Sequence, residues 1–520
     1  MSAAQRNTAS RYVLNATSSI VTMLLRMGAL VWVNQFLIHR IAPEEYALVP
    51  VVASLLVIAE ILPLIFMRGL SRFMVEADAR QDTAEMTRIV SSMVPVLTAV
   101  AMVLLVGGLL ATVNIDSVIN VAPEYRWQAQ AMLLMLVAVL CLRVALTPFR
   151  VGLHVRMRFV EENMILLATE VLRVVLLVFL LLAVSTQVIW VTVSTCVANV
   201  VNMLILIGYT VRIIPDARLR LSAIAVATVK RLLSFSLWTL FQAFNNLVLR
   251  AVPALLLNRN ASAIDVASFH IGNLADTQIR RLAVAATAPA KPALTTIYAT
   301  EGEDSLQKFY YLGGRYYLWV TLFLLPPLLV FAYPLIELYA GARYLKAAPV
   351  MVMLLGVYPF VWASGMFYEV AYSVGRIRSF NICIMILSLA ALGGMWYLVV
   401  IRDLGALGAA MGLSGSYAIV HLLIMWPAGL WLVKGTWPVF VGETLVRGIA
   451  PFVAACLACA AFGYVFPITS WGGFFLGSAV SALVYPAVLI GLCLSESDKV
   501  LMQRAVHKIR GRFSGKRSKG

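Results

Sequence analysis

Long apolar runs occupy most of the chain, and short clusters of charged or turn-forming residues interrupt them at intervals of about one membrane thickness. A bilayer core needs about 20 apolar residues per helix. Cutting at the polar gaps predicts fourteen spans: residues 12–38, 44–67, 88–112, 127–149, 160–184, 188–211, 232–257, 262–289, 312–336, 347–374, 380–400, 405–432, 445–466 and 471–494. The first run, from Tyr12 to Ile38, is longer than a signal-peptide core, and no cleavage site leads from it into a soluble region; it is predicted to span.

Composition places the chain in lipid. Of 520 residues, 62% are hydrophobic and only 12% charged, with a mean hydropathy of +0.90, against about 25% charged residues in soluble domains. The expected fold class is therefore an all-α polytopic membrane protein with 14 transmembrane helices. A secreted disulfide scaffold, a nucleic-acid-binding domain and any enzyme built on a large soluble core are excluded, leaving a transporter, a channel or a membrane-embedded enzyme. The excess of 41 basic over 24 acidic residues, +17 in all, first reports topology. With both termini in the cytoplasm, 28 basic residues fall on that side, and only Arg40, Arg126, Arg259, Arg343, Lys346 and Arg402 fall outside. The basic tail after Leu494 reads first as a solvated topological anchor, with anionic lipid or a partner as the alternative. All six cysteines lie in apolar runs, and Cys456-Leu-Ala-Cys459 reads as small residues packing a helix.

An ungapped shift of 220 residues aligns two halves. Ser19, Thr22 and Arg26 fall on Thr239, Gln242 and Asn246; Arg156-x-Arg158 falls on Arg376-x-Arg378, Arg126 on Lys346, Arg88 on Lys308 and Glu45 on Asp265. Each half holds six predicted helices. An even number returns the chain to its starting side, so the expected bundles, 1–220 and 221–440, share one orientation about a pseudo-twofold along the membrane normal. Residues 441–495, two further helices, and the tail 496–520 lie outside the repeat.

Within the spans stand Arg26, Arg143, Arg173, Arg250, Arg280, Arg281 and Arg447, with Glu60, Glu170, Asp276 and Glu369. Left facing lipid, these charges would cost on the order of 30 kcal/mol, so they are expected to face water or each other. Glu170 and Arg173, three apart, are expected to pair, and Arg447 to snorkel. Helical spacing aligns Asn15, Ser19, Thr22 and Arg26 along the first helix and Thr239, Gln242, Asn246 and Arg250 along the seventh. Two equivalent polar stripes toward one axis make Thr22, Arg26, Gln242, Asn246 and Arg250 the candidate lining of a cationic cavity, suited to phosphate or pyrophosphate; helix packing is the competing account of such stripes. Glu60, Asp276, Arg280 and Glu369 are the candidate gate or coupling residues. The shift places Glu60 opposite Arg280, so the two could meet across the axis when the cytoplasmic side closes. The competing reading neutralises Arg280 locally through Asp276 at i, i+4.

No GxxxxGK[ST] loop occurs, the five histidines form no metal spacing, and no large extracytoplasmic loop is present to hold a catalytic or acceptor site. Neither an enzyme nor a cofactor is expected, and Glu76-x-Asp78 and Glu301 to Asp304 read as solvated loop faces.

The two six-helix halves, the second loop RGLSRFMVEADARQDTAEMTRIVSSM and a small-residue twelfth helix opening GALGAAMGLSG resemble the polysaccharide-exporting branch of the multidrug/oligosaccharidyl-lipid/polysaccharide exporter superfamily. The resemblance implies a flippase of the bacterial cytoplasmic membrane that carries undecaprenyl-diphosphate-linked oligosaccharide by alternating access. It also implies membrane lipids and a polysaccharide polymerase or export machinery as partners, and no nucleic acid. The drug-exporting branch is expected to carry an acidic residue in the first helix, where this chain has only Arg26 as an ion. The extra pair of helices resembles that of lipid II flippases, whose first helix is richer in basic residues. Major facilitators would show a G-x-x-x-D-R-x-G-R-like second loop, and here Leu-Ser-Arg-Phe follows Gly69. An ion-coupled exporter of small organic molecules, a lipid II flippase and a non-transporting scaffold are the alternatives.

Overall fold

In the computed structural model the described residues are 22–59, 70, 73–78, 80–150, 152–156, 158–216, 218–236, 239–287, 303–374, 376–494 and 498. Among them the chain is helical, with no strand. The helical segments that carry the argument are α1 (Thr22–Ile38), α2 (Leu48–Ala59), α3 (Thr83–Val113), α4 (Pro123–Ala145), α5 (Phe159–Ala183) and α6 (Ile189–Ile213). Then come α7 (Thr239–Arg250, continued by Val252–Asn260), α8 (Ala263–Thr287), α9 (Glu303–Leu322), α10 (Ala347–Ala371), α11 (Arg378–Ile401), α12 (Gly405–Leu432), α13 (Trp437–Val465) and α14 (Trp471–Cys493). Nine of the described helices, α3 to α6 and α10 to α14, are long and apolar enough to cross a membrane.

Local chemistry fixes several ends and breaks. Asp82 caps α3, accepting from the Glu85 amide at 2.8 Å, as an acceptor placed before an apolar run does. Pro253 opens the second piece of α7 after a break at Ala251, and Pro326 and Pro327 follow the end of α9, where a missing amide proton costs nothing at a helix start. Wider π-turns replace α-helix at Tyr397–Ile401, His421–Met425, Phe440–Val446 and Leu489–Cys493.

The chain divides into two compact units, Met1–Leu274 with Ile384–Leu413, and Ala275–Cys383 with Ser414–Gly520. In the first, α3 lies so close to α4 that a Cβ on Gly108 would stand 2.5 Å from Val137. Two polar joints stitch its connections. Thr87 donates to the carbonyl of Asp216, Ser91 accepts from the Arg220 amide and Ser92 from the Ala225 amide, so the segment after α6 is held against the start of α3. Glu45, buried, accepts from the Val188 amide at 2.7 Å, before α6. Asp265, 220 residues later, sits 3.5 Å from the Ala406 amide at the start of α12.

The second unit repeats the first kind of joint. Gln307 donates to the Lys434 carbonyl at 2.7 Å, and Tyr311 accepts from the Thr436 amide at 2.8 Å, so the start of α9 holds the segment after α12. Thr87 and Gln307 are equivalent under the 220 shift, as are Ser91 and Tyr311. Helices α13 and α14 pack on each other and on α9 and the helix Leu325–Val330. Phe331 fills the slot that two glycines leave: a Cβ on Gly477 would lie 2.6 Å from its ring and one on Gly463 3.0 Å. Cys459 is a buried free thiol in that cluster with Phe331 and Phe474.

Candidate functional site

Charge inside the first unit gathers on Glu170. Its carboxylate takes Arg173 from one turn along α5, with Nε at 3.1 Å, and Arg26 of α1, with Nε at 3.5 Å. Helical spacing makes the first pair, as the sequence predicts; tertiary packing makes the second. Two guanidiniums share one carboxylate and leave a net positive charge. Arg26 is 47% exposed, and Glu170 only 12%. A half-exposed guanidinium in an apolar helix, tethered but not neutralised, can offer its remaining N–H groups to an anion. Thr22, one turn earlier on α1, is buried.

Arg250 ends the first piece of α7 and is exposed. Gln242 and Asn246 lie on the same helix, but their side chains fall outside the described residues, as do Asn15 and Ser19 of the α1 stripe. Asn245, a neighbour that the stripe does not include, accepts from Ser388 of α11 at 2.9 Å. A further cation, Arg150, follows α4. Burial pushes its guanidinium down to about 10, and the charge of Arg143 acts in the same direction. Its Nε has no hydrogen-bond partner among the described residues.

In the second unit, Arg280 donates through Nε to both oxygens of Asp276, at 2.8 and 3.0 Å. The local i, i+4 pair is therefore formed. Tyr358 of α10 donates to the same carboxylate at 3.0 Å, and the guanidinium lies 5.4 Å from the Tyr358 ring centre and 5.0 Å from that of Tyr417 on α12. Tyr417 stacks on His421 with ring centres 5.7 Å apart, and the His421 Nδ1 lies 3.0 Å from the Ser364 hydroxyl. Three helices thus meet on one neutralised ion pair. Glu369 is half-buried on α10. Glu60, the other half of the gate read from the sequence, is outside the described residues.

One network has no counterpart in the sequence reading. Arg315 on α9, 2% exposed, reaches Asp498 at 2.7 and 2.8 Å and Glu443 of α13 at 2.9 Å; Asp498 also accepts from Tyr316. Charge counting places Arg315 among the cytoplasmic residues. Its partners are 128 and 183 residues away, so no helical spacing could reveal them. Likewise Asp78, in an acidic cluster read as a solvated face, meets Arg156 of the α4–α5 connection at 3.1 Å. Among the described residues no group of three His, Cys, Asp or Glu side chains is placed to hold a metal.

The sequence profile described as "polysaccharide biosynthesis protein" matches residues 12–295, more than half of the chain, and the chain belongs to that family. No curated protein matches it. Among solved structures, the chain is similar to a lipid II flippase, MurJ, in an inward closed conformation: TM-score 0.66, 14% identity, covering 91% of this chain and 97% of that one. It is also similar to an inward-facing multidrug resistance MATE transporter of the MOP superfamily, with TM-score 0.63, 14% identity and 81% and 99% coverage. A third similar structure is a MOP superfamily transporter from Pyrococcus furiosus, with TM-score 0.57, 13% identity and 82% and 96% coverage. At such identities the likeness establishes the fold. The chain shares the fold of these structures, and with its long apolar helices it is a multi-pass membrane protein of the polysaccharide biosynthesis family.

Proposed function

We propose that this chain is a flippase for lipid-linked oligosaccharide of the undecaprenyl-diphosphate type, moving it across the bacterial cytoplasmic membrane for cell-surface polysaccharide synthesis. Membership of a polysaccharide biosynthesis family, in a chain with a flippase fold, carries this reading. The half-exposed Arg26 supports it, because a tethered guanidinium with free donors suits a pyrophosphate group. In this proposal fourteen helices cross with both termini in the cytoplasm, the halves 1–220 and 221–440 rock about a shared cavity, and residues 441–495 add a further pair. Thr22, Arg26, Gln242, Asn246 and Arg250 line the path of the head group, while Glu60, Asp276, Arg280 and Glu369 govern closure or coupling. Membrane lipids surround the chain, and a polymerase or export machinery receives the product.

A second reading, a lipid II cargo, is favoured by coverage: the MurJ likeness takes in 91% of this chain, against 81 and 82% for the other two transporters. A deletion strain separates the two. Lipid-linked oligosaccharide is expected to build up on the cytoplasmic leaflet and to clear when the gene is restored. Build-up of lipid II supports the second reading; a change in drug sensitivity alone, with neither intermediate retained, defeats both.

A further inference from the structure

Beyond Leu494, Asp498 is the one described residue, and its carboxylate has no contact with solvent. It accepts two bonds from Arg315, at 2.7 and 2.8 Å, and one from the Tyr316 hydroxyl at 2.8 Å. Arg315 also holds Glu443, six residues into α13 from Trp437. By the topology read from the basic residues, these are the cytoplasmic ends of α9, α13 and α14. Trp431 and Trp437 are exposed at the neighbouring ends of α12 and α13, and the Arg376 guanidinium lies 5.7 Å from the Trp431 ring centre. Exposed tryptophans beside a cation mark the level of the lipid head groups. A buried carboxylate bonded to a buried guanidinium is hard to pull free. The chain that leaves α14 is therefore held at head-group depth before residue 499.

Residues 499–520 lie outside the described residues, and their sequence carries eight Lys and Arg and no Asp or Glu. Counted from Asp498 at helical spacing, Met502, Ala505 and Ile509 recur at i+4, i+7 and i+11, and Val506 and Phe513 complete an apolar stripe. Arg504, Lys508, Arg510 and Arg512 flank or oppose that stripe. We propose that residues 499–513 bind the anionic lipid surface of the cytoplasmic leaflet, apolar stripe toward the acyl chains and basic residues on the phosphates, with Asp498 as the pin that holds the segment there. The inference rests on the cytoplasmic placement of the tail. Three observations favour lipid over an acidic protein. The pin starts the segment at head-group depth, so it meets lipid without leaving the surface. Buried Asp498 is in register with the apolar stripe, so the face that meets α9 continues as the face that meets the membrane. A solvated anchor needs the charges but not the stripe, whereas an interfacial segment needs both.

The test uses the full chain in vesicles, with native cysteines replaced, a fluorophore on Ser514→Cys and nitroxide-bearing lipid as quencher. Quenching is expected to be several-fold stronger with phosphatidylglycerol present than in phosphatidylcholine alone, and to fall as salt is raised. Each basic residue near such a surface contributes a factor of roughly five. Replacing Arg504, Lys508, Arg510 and Arg512 with Gln is therefore expected to abolish the difference between the two lipids, and Ile509→Ser with Phe513→Ser to weaken quenching in both. Equal quenching in the two lipids, or a difference that the Gln variant keeps, overturns the proposal. Asp498→Ala is expected to lower quenching part of the way, and unchanged quenching removes Asp498 as the pin; the Gln variant leaves the Arg315 pocket intact and so decides lipid binding in a folded protein. Photo-crosslinking from position 514 in cell membranes is expected to yield lipid adducts. A protein adduct in their place assigns the tail to an acidic protein and overturns the lipid reading. Labelling of Ser514→Cys from outside intact cells overturns the topology, while quenching in vesicles still decides whether the segment binds anionic lipid.

Discussion

Charge burial sets the terms at the level of single residues. Glu170 is the shared counter-ion of Arg26 and Arg173, so neutralising it affects both, while removing Arg26 leaves the Glu170–Arg173 pair in place. Arg26→Gln is therefore expected to keep the protein level unchanged and to lower flipping several-fold, since a charge-assisted contact to phosphate contributes roughly 1.5 to 3 kcal/mol. An assay of lipid-linked oligosaccharide across vesicle leaflets checks it, and full activity of Arg26→Gln combined with Arg250→Gln removes both from the path. Arg280 poses a different question, because its Nε edge is already committed to Asp276. A gate that recruits Glu60 has to work around that pair. If it does so, Glu60→Arg and Arg280→Glu each impair flipping, and their combination restores much of it. A double variant no better than the worse single one leaves Arg280 as a local partner of Asp276.

At the scale of helices, close approach and buried ion pairs decide the packing. A Cβ on Gly412 of α12 would lie 2.4 Å from the Met395 amide nitrogen and 2.6 Å from the Gly394 carbonyl carbon on α11. These are backbone atoms that cannot swing aside, and small residues that let helix backbones meet are the usual basis of association in lipid. Gly412→Leu is expected to lower the unfolding temperature in detergent, followed by intrinsic fluorescence, whereas Gly415→Ala, with nothing within 4 Å, leaves it within the error of the measurement. The Arg315–Asp498 pair ties α9 to the residue that follows α14 by a short connection. Because both side chains are buried, Asp498→Ala takes the two-oxygen partner from a buried guanidinium, leaving Glu443 as its carboxylate, and is expected to cost about 3 to 5 kcal/mol. Glu443→Gln, at a half-exposed position, costs less. The same fluorescence unfolding measures both, and equal losses would mean that Asp498 matters no more than a surface contact.

For the whole molecule, orientation follows from basic residues rather than from packing. The 28-to-6 distribution predicts that a cysteine at Ser185 reacts with an impermeant thiol reagent from outside and one at Ser379 only from inside. The reverse pattern of labelling in intact cells overturns the topology. The recurring joints at Thr87 and Gln307, and at Glu45 and Asp265, place the same kind of contact at positions 220 residues apart in the chain.

The apolar runs alone determined that the chain is helical and lives in lipid, because a helix is the only open segment that satisfies its backbone there. Short-range spacing determined Glu170 with Arg173 and Asp276 with Arg280, since residues three or four apart share a helix face. Spacing says nothing about which faces meet. Only tertiary structure brought Arg26 to Glu170, closed Asp498 on Arg315 from 183 residues away and set Asn258 on Asn120. Local periodicity fixes the direction in which a side chain leaves its own helix; its partner is decided by how the helices pack.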